Sequence, residues 1–127
     1  MAATVRQFNR PDVTAELLQV AESGDVDELL RLLPRVGDLN ARNRHGTTAL
    51  MKAAFFGHEP TVRVLLERGA DPNVRASIWK QLHPGHGDTT RHEYRDVTPL
   101  SWGRRFHERV FVSEPAMRLI EEAGGGE

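Results

Sequence analysis

An internal repeat with a period of 33 residues is the feature that most constrains how this chain can fold. Many positions hold an apolar residue, a glycine or a turn residue, and the position 33 residues later holds the same residue or a similar one. A fixed period of this length is typical of proteins built from stacked supersecondary units. The recurring pairs are Leu17/Leu50, Ala21/Ala54, Gly24/Gly57, Leu29/Val62, Leu32/Leu65, Leu33/Leu66, Asp38/Asp71 and Asn40/Asn73.

A third copy follows in two blocks that insertions displace from the period. Residues 98–100 match 48–50, and residues 114–120 match 59–65, at a larger offset in each case. The copies predict repeats over about 10–42, 43–75 and 76–124, in a single domain over 1–124, with an insertion over about 77–97. We expect the glycine-rich residues 125–127 to form a disordered tail.

Each copy has the pattern of two short helices joined by a tight turn. Thr48 and Thr98 suit the N-cap of a first helix, because a threonine hydroxyl can accept from a free backbone amide. Gly57 ends the first helix, and Pro60 and Pro115 suit the first turn of the second helix. Apolar residues at helical spacing give each helix one stripe to bury. Since one pair cannot bury both stripes alone, the copies are expected to stack into an all-α solenoid.

The second copy has the run 46–58 (GTTALMKAAFFGH), followed by Val62, Leu65, Leu66, 69–71 and Asn73. With these residues the second copy resembles an ankyrin repeat. This resemblance implies an ankyrin-type solenoid of stacked helix-turn-helix repeats, with an inserted hairpin or loop in the third repeat. The histidine that the family often has after the leucine of the first helix is replaced by Leu18, Met51 and Ser101.

The same resemblance implies the function of a protein-interaction module with no enzymatic activity and no cofactor. Proteins of this family bind partners through a concave side formed by the loop tips and the exposed faces of the first helices. The insertion is a second candidate for partner contact. Carried over residue by residue, the predicted partner-binding positions are Arg42, Arg44, His45, Thr47, Phe55, Phe56, Arg75, Arg105 and Phe106.

Phe55 and Phe56 give the strongest local indication of a binding surface. Consecutive helical residues point about 100° apart, so both rings cannot face the core that Leu50 already supplies. An aromatic ring near arginines is typical of an interface hot spot. Alternatively, the two rings pack under the long insertion of the third repeat.

The insertion over about 77–97 allows a different function. Its apolar residues, Ile78, Trp79, Leu82 and Tyr94, indicate that it packs on the stack, and its turn-rich tip is typical of a loop. Several side chains in it are of the types that bind zinc, so a metal-binding protein or metal-dependent enzyme is the alternative function. These side chains are His83, His86, Asp88, His92 and Glu93.

Composition limits which kinds of partner the chain can bind and in which cellular compartment we expect it. The formal net charge is −1, so the chain lacks the basic excess typical of nucleic-acid binding. It contains no cysteine, which excludes disulfides and thiolate metal sites. No apolar run approaches the length of a membrane span, and Met1–Arg10 lacks the apolar stretch of a signal peptide. We therefore expect a cytoplasmic protein whose partner is another protein, with weak self-association as a further alternative.

Overall fold

The computed structural model describes residues 13–81, 91–104 and 112–127. These residues form successive helix pairs and a two-stranded sheet. The bounds are α1 Thr14–Ser23, α2 Val26–Leu32, a 3₁₀ turn at Leu33–Arg35, α3 Ala49–Phe55, α4 Glu59–Glu67, β1 Ala76–Gln81, β2 Arg91–Val97, α5 Pro99–Arg104 and α6 Glu114–Glu122.

The helices stack in two rows, as the repeat predicts. The first helices α1, α3 and α5 pack side by side, and the second helices α2, α4 and α6 form the row behind them. The recurring leucines Leu17, Leu50 and Leu100 lie in one apolar cluster with exposures of 0%, 2% and 3%. This shared core explains why no single pair is a folding unit, since each stripe is buried only by its neighbours.

Threonine caps fix where α3 and α5 begin, whereas α1 has Val13 at its N-cap and no side-chain cap. Thr48 Oγ1 accepts from the backbone amide of Met51 at 3.3 Å. In the third pair the capping is reciprocal: Thr98 Oγ1 accepts from Ser101 N at 3.1 Å, and Ser101 Oγ accepts from Thr98 N at 2.9 Å. Ser101, which stands where the family often has histidine, therefore stabilises the start of α5.

Asparagine side chains connect the end of one repeat to the next. Asn40 Oδ1 accepts from Asp71 N at 2.8 Å. Asn73 repeats this role one period later, because its Oδ1 accepts from Gly126 N at 3.1 Å and its Nδ2 donates to Gly124 O at 2.9 Å.

The C-terminal residues differ from the expected disordered tail. Gly125 N donates to Ile120 O at 2.8 Å, as Ala70 N does to Leu65 O after α4. Glu127 reaches Arg104 Nη1 at 3.3 Å. The tail is held because its glycines reproduce the turn that ends the preceding repeat, which places Gly124 O and Gly126 N against the side chain of Asn73.

The insertion adds β-structure to a chain expected to be all-α. Strands β1 and β2 pair antiparallel, with Ile78 opposite Tyr94 and Trp79 opposite Glu93. A bulge places an extra residue in β2, and Asp96 there adopts a φ of 52°. The extra residue brings Tyr94 to the face that carries the buried Val97, so both pack toward the helices.

The hairpin lies against the turn that precedes α3. Trp79 N donates to His45 O at 3.2 Å, which joins β1 to that turn. Gly46 has a φ of +85°, and a Cβ added there would lie 1.8 Å from Ser77 O. Only glycine fits here, because the backbone conformation and the close approach both exclude a side chain.

We predict that Gly46→Ala destabilises the protein, whereas Gly37→Ala does not. Alanine at position 46 adopts a left-handed conformation and displaces Ser77, at an expected cost of about 2 kcal/mol. Thermal unfolding followed by circular dichroism should show a Tm lower by roughly 5–10 °C. Gly37 is the matched control, since nothing lies within 4 Å of a Cβ built there. Equal Tm values for the two variants would contradict the close packing at Gly46.

Candidate protein-interaction site

An open groove of about 560 Å³ lies between α1 and the turn before α3. One wall is a single face of α1, since Ala15, Leu18, Gln19 and Glu22 follow helical spacing. The other wall is the turn over 42–45. We call this the tip groove, and its lining residues are Thr14, Ala15, Leu18, Gln19, Glu22, Arg42, Asn43, Arg44, His45 and Lys52.

The turn over 42–47 is held rigidly from within. Asn43 Oδ1 accepts from His45 N at 2.9 Å and from Thr47 N at 3.0 Å. Asn43 N also donates to Thr47 O at 3.0 Å, which closes the turn. A turn fixed in this way loses little conformational entropy when a partner binds to its outer side chains.

The groove is locally positive in a chain with a net charge of −1. It is lined by the cations Arg42, Arg44 and Lys52 and by the anion Glu22, which gives a local charge of +2. Lys52 Nζ lies 3.8 Å from Glu22 Oε2, so these two charges largely offset each other. The remaining positive charge belongs to the two arginines on the turn.

The two arginines differ in the hydrogen bonds that they make. Arg42 is exposed and uses one guanidinium nitrogen, Nη2, to donate to Arg75 O at 2.9 Å. Arg44 is exposed too, and it makes no hydrogen bond or ion pair with the part of the chain that the structure describes. Arg44 is therefore the cation of the groove best placed to pair with a partner.

His45 connects the groove to the hairpin. His45 is one of the lining residues of the groove, and its carbonyl accepts from Trp79 N at 3.2 Å. The Nδ1 atom is buried and has no hydrogen-bond partner among the residues of 13–81, 91–104 and 112–127. The hairpin thus fixes the backbone on which Arg44 stands.

Phe55 packs beneath the insertion, as the structural alternative predicts. Its ring stacks on Trp102 with centroids 5.1 Å apart and planes at 23°. Tyr94 of the hairpin contacts Trp102 edge-on at 5.4 Å. These rings join an apolar cluster between the hairpin and the helices, so Phe55 contributes mainly to stability.

Phe56 does not belong to that cluster. It meets Phe55 edge-to-face at 5.4 Å and stacks on His58 at 6.4 Å. Lys52 Nζ stands 5.8 Å above its ring. Since Lys52 also lines the groove, Phe56 forms the aromatic end of the same surface.

Other predicted positions lie elsewhere. Thr47 is 4% exposed, so its side chain cannot serve as the partner contact that we predicted; it closes the turn instead. Arg75 donates to Asp96 O at 3.3 Å and to Glu127 O at 3.2 Å, which ties it to the hairpin and the tail. Arg105 and Phe106 lie outside the described residues.

Gln19 on α1 and Lys52 on α3 were missing from the predicted site. The period itself carried a signal for them, because Gln19 and Lys52 are equivalent positions of the first and second repeats. Both line the groove. Nothing in the sequence indicates that α1 and the following turn face each other across an open space.

The metal alternative gains no support from the described residues. Among them, no group of three or more histidine, cysteine, aspartate or glutamate side chains could hold a metal ion. Glu93 accepts from Arg95 Nε at 2.9 Å, and this hydrogen bond and the Glu93 charge raise the pKa of Arg95. His83, His86 and Asp88 lie outside the described residues, and the side chain of His92 is not described.

Comparison with known proteins identifies the family. The family model for ankyrin repeats (3 copies) matches residues 5–76, which is more than half of the chain. The chain therefore belongs to the ankyrin-repeat family. Within the described residues, no helix is both long and apolar enough to cross a membrane.

The chain resembles short parts of longer proteins. It is 48% identical over 60 residues to the mitochondrial disaggregase of Bos taurus, a stretch that covers 47% of this chain and 9% of the relative. It is 28% identical over 111 residues to the inactive serine/threonine-protein kinase TEX14 of Mus musculus, covering 75% and 8%. It is 45% identical over 60 residues to the human DNA-binding protein RFXANK, covering 46% and 23%. The chain thus spans less than a quarter of each of these relatives.

We predict that Phe55→Ala and Phe56→Ala have unequal effects on stability. Phe55→Ala leaves a cavity beside Trp102 and should lower the free energy of unfolding by about 2–3 kcal/mol. Phe56→Ala removes only peripheral ring contacts and should cost about 1 kcal/mol or less. Urea denaturation of both variants measures the difference. Equal midpoints would contradict the assignment of Phe55 to the packed cluster.

Proposed function

We propose that this domain binds a partner protein through the tip groove and the adjacent ring of Phe56. Ankyrin repeats are generally protein-interaction modules, which supports a protein partner. The proposed surface combines the exposed arginines Arg42 and Arg44 with His45 and Phe56. It lies on the side of the stack that carries the first helices and the turns, as the family resemblance implies.

One observation carries the proposal: a turn fixed by its own hydrogen bonds presents a cation, Arg44, that makes no hydrogen bond or ion pair with the described fold. Asn43 holds the turn from the inside, while Arg44 extends from it without a described partner. The structural arginines of this fold bind neighbouring oxygen atoms, as Arg104 binds Glu121 at 3.4 Å and Arg75 binds Asp96 O at 3.3 Å. A rigid turn with an unpaired arginine is suited to electrostatic recognition and orientation of a partner.

The inserted hairpin acts in this proposal mainly as a brace for the turn. Its contacts with Gly46 and His45 set where Arg44 stands, and direct contact of the hairpin with the partner stays a prediction. A cytoplasmic location and the absence of catalysis also stay predictions.

We predict that Arg44→Glu abolishes partner capture without unfolding the domain. Tagged protein is incubated with a lysate of its source organism, and bound proteins are quantified by isotope-labelled mass spectrometry. Reversal of an exposed cation should reduce recovery of the specific partner by about tenfold or more, because attraction becomes repulsion. The Tm should change by no more than about 2 °C, since exposed substitutions are usually within about 0.5 kcal/mol of neutral.

Arg118→Glu is the matched control. Arg118 is exposed on α6 and makes no hydrogen bond or ion pair with described residues, so this variant changes the net charge equally at a distant place. If Arg44→Glu and Arg118→Glu recover the same proteins in the same amounts, the tip groove is not the binding surface. Recovery of only this chain itself would indicate self-association instead.

A further inference from the structure

We infer that the tip groove receives a short extended segment bearing carboxylate side chains, which pair with Arg42 and Arg44. The inference rests on the proposed function and adds the chemistry of the partner. It follows from three properties of the groove: its positive charge, the hydrogen-bonding groups that remain free in it, and its size.

The charges of the groove favour carboxylates at the turn end. Arg42 uses only Nη2 to bind Arg75 O, so its other guanidinium nitrogens are free to donate to a partner. Arg44 donates to none of the described residues, so its whole guanidinium group is free to do so. Each guanidinium can bind a carboxylate through two parallel hydrogen bonds. In an extended segment, residues two apart point to the same side, so acidic residues at that spacing can face both arginines.

The α1 wall limits what else the groove can hold. Glu22 stands there with a side chain that is 44% exposed, and Lys52 beside it offsets its charge. A nucleic-acid backbone places a negative charge at every nucleotide, and the α1 end of the groove has no net positive charge to neutralise it. A peptide can carry its acidic residues at one end and neutral residues at the other, which matches this polarity.

Neutral groups line the remainder of the groove. Gln19 is exposed on α1, and Asn43 offers its Nδ2 amide because its Oδ1 already accepts two backbone amides. Amide side chains of this kind bind the backbone of an extended peptide. Leu18 is only 3% exposed, so the floor provides no deep apolar pocket for a large side chain.

The size of the groove favours a segment over a folded surface. Its volume of about 560 Å³ is comparable to that of small-ligand sites, and the groove is open to solvent. A few residues of extended chain fill such a space, whereas a whole domain would touch only its rim.

A displayed library of random 12-residue peptides tests this inference, with the full chain as bait. We expect the enriched peptides to carry two or more Asp or Glu residues close together, followed by neutral residues. A synthetic peptide of the enriched sequence, labelled with fluorescein, should bind about tenfold or more weakly to Arg42→Gln plus Arg44→Gln. Its Kd should also rise severalfold between 50 and 300 mM salt.

The control variant is Arg35→Gln plus Arg118→Gln, which removes two exposed arginines outside the groove and should leave the Kd unchanged. Thermal unfolding of both double variants checks that the fold is retained. Arg44→Gln alone spares the hydrogen bond to Arg75 O, and it should give an intermediate loss of several-fold.

Three results would overturn the inference: no enrichment over bare support, enriched peptides without acidic clusters, or equal binding by the two double variants. A labelled 20-nucleotide single strand is tested alongside, and binding as tight as that of the peptide would point to nucleic acid instead. If Arg44→Glu removes the cellular partner while the enriched peptides are not acidic, the proposed function stands and the partner chemistry inferred here is wrong.

Discussion

The burial of α3 on two sides is the constraint on which the other features depend. Ala49, Ala53 and Ala54 are at most 1% exposed, and Leu50 is 2% exposed, because α3 lies between α1 and α5. Small side chains allow this close approach of neighbouring helices. Met51, on another side of α3, is buried against the hairpin cluster. Little of α3 is left for recognition, and the partly exposed Lys52 lies beside the ring of Phe56 at the end of the helix.

The hairpin depends on the stack for its stability, and the groove depends on the hairpin. A two-stranded hairpin is at best marginally stable alone in water. Here Ile78 and Val97 are buried with Met51 and Trp102, so the helices supply the apolar surface that two strands lack. In return, β1 contacts the turn at His45 and Gly46. The hairpin inserted in the third repeat therefore helps to position the groove that the first two repeats form.

The repeat was predictable because its signal is local and recurs. Leu17, Leu50 and Leu100 follow from a period visible in the chain, and the caps at Thr48 and Thr98 follow from residue type. The tip groove was only partly predictable: Arg42, Arg44 and His45 were identified, but Gln19 and Lys52 were not. The contact of Gly46 with Ser77 could not be predicted, because nothing in the sequence around either residue indicates that the two lie close together. The role of Phe55 likewise depends on Trp102, whose position is set by the docking of α5.

The tryptophans Trp79 and Trp102 lie in contrasting surroundings. Trp102 is 7% exposed and stacked among rings, whereas Trp79 is 43% exposed on β1, where its backbone amide binds the turn that carries Arg44. Indole emission shifts to longer wavelength in water, so the intrinsic fluorescence of this chain contains a blue component from the interior and a red component from the strand. A phenylalanine at either position would separate the two. The emission spectrum would then show, without any added dye, whether binding at the turn changes the surroundings of Trp79 on the strand, of Trp102 on the helix, or of both.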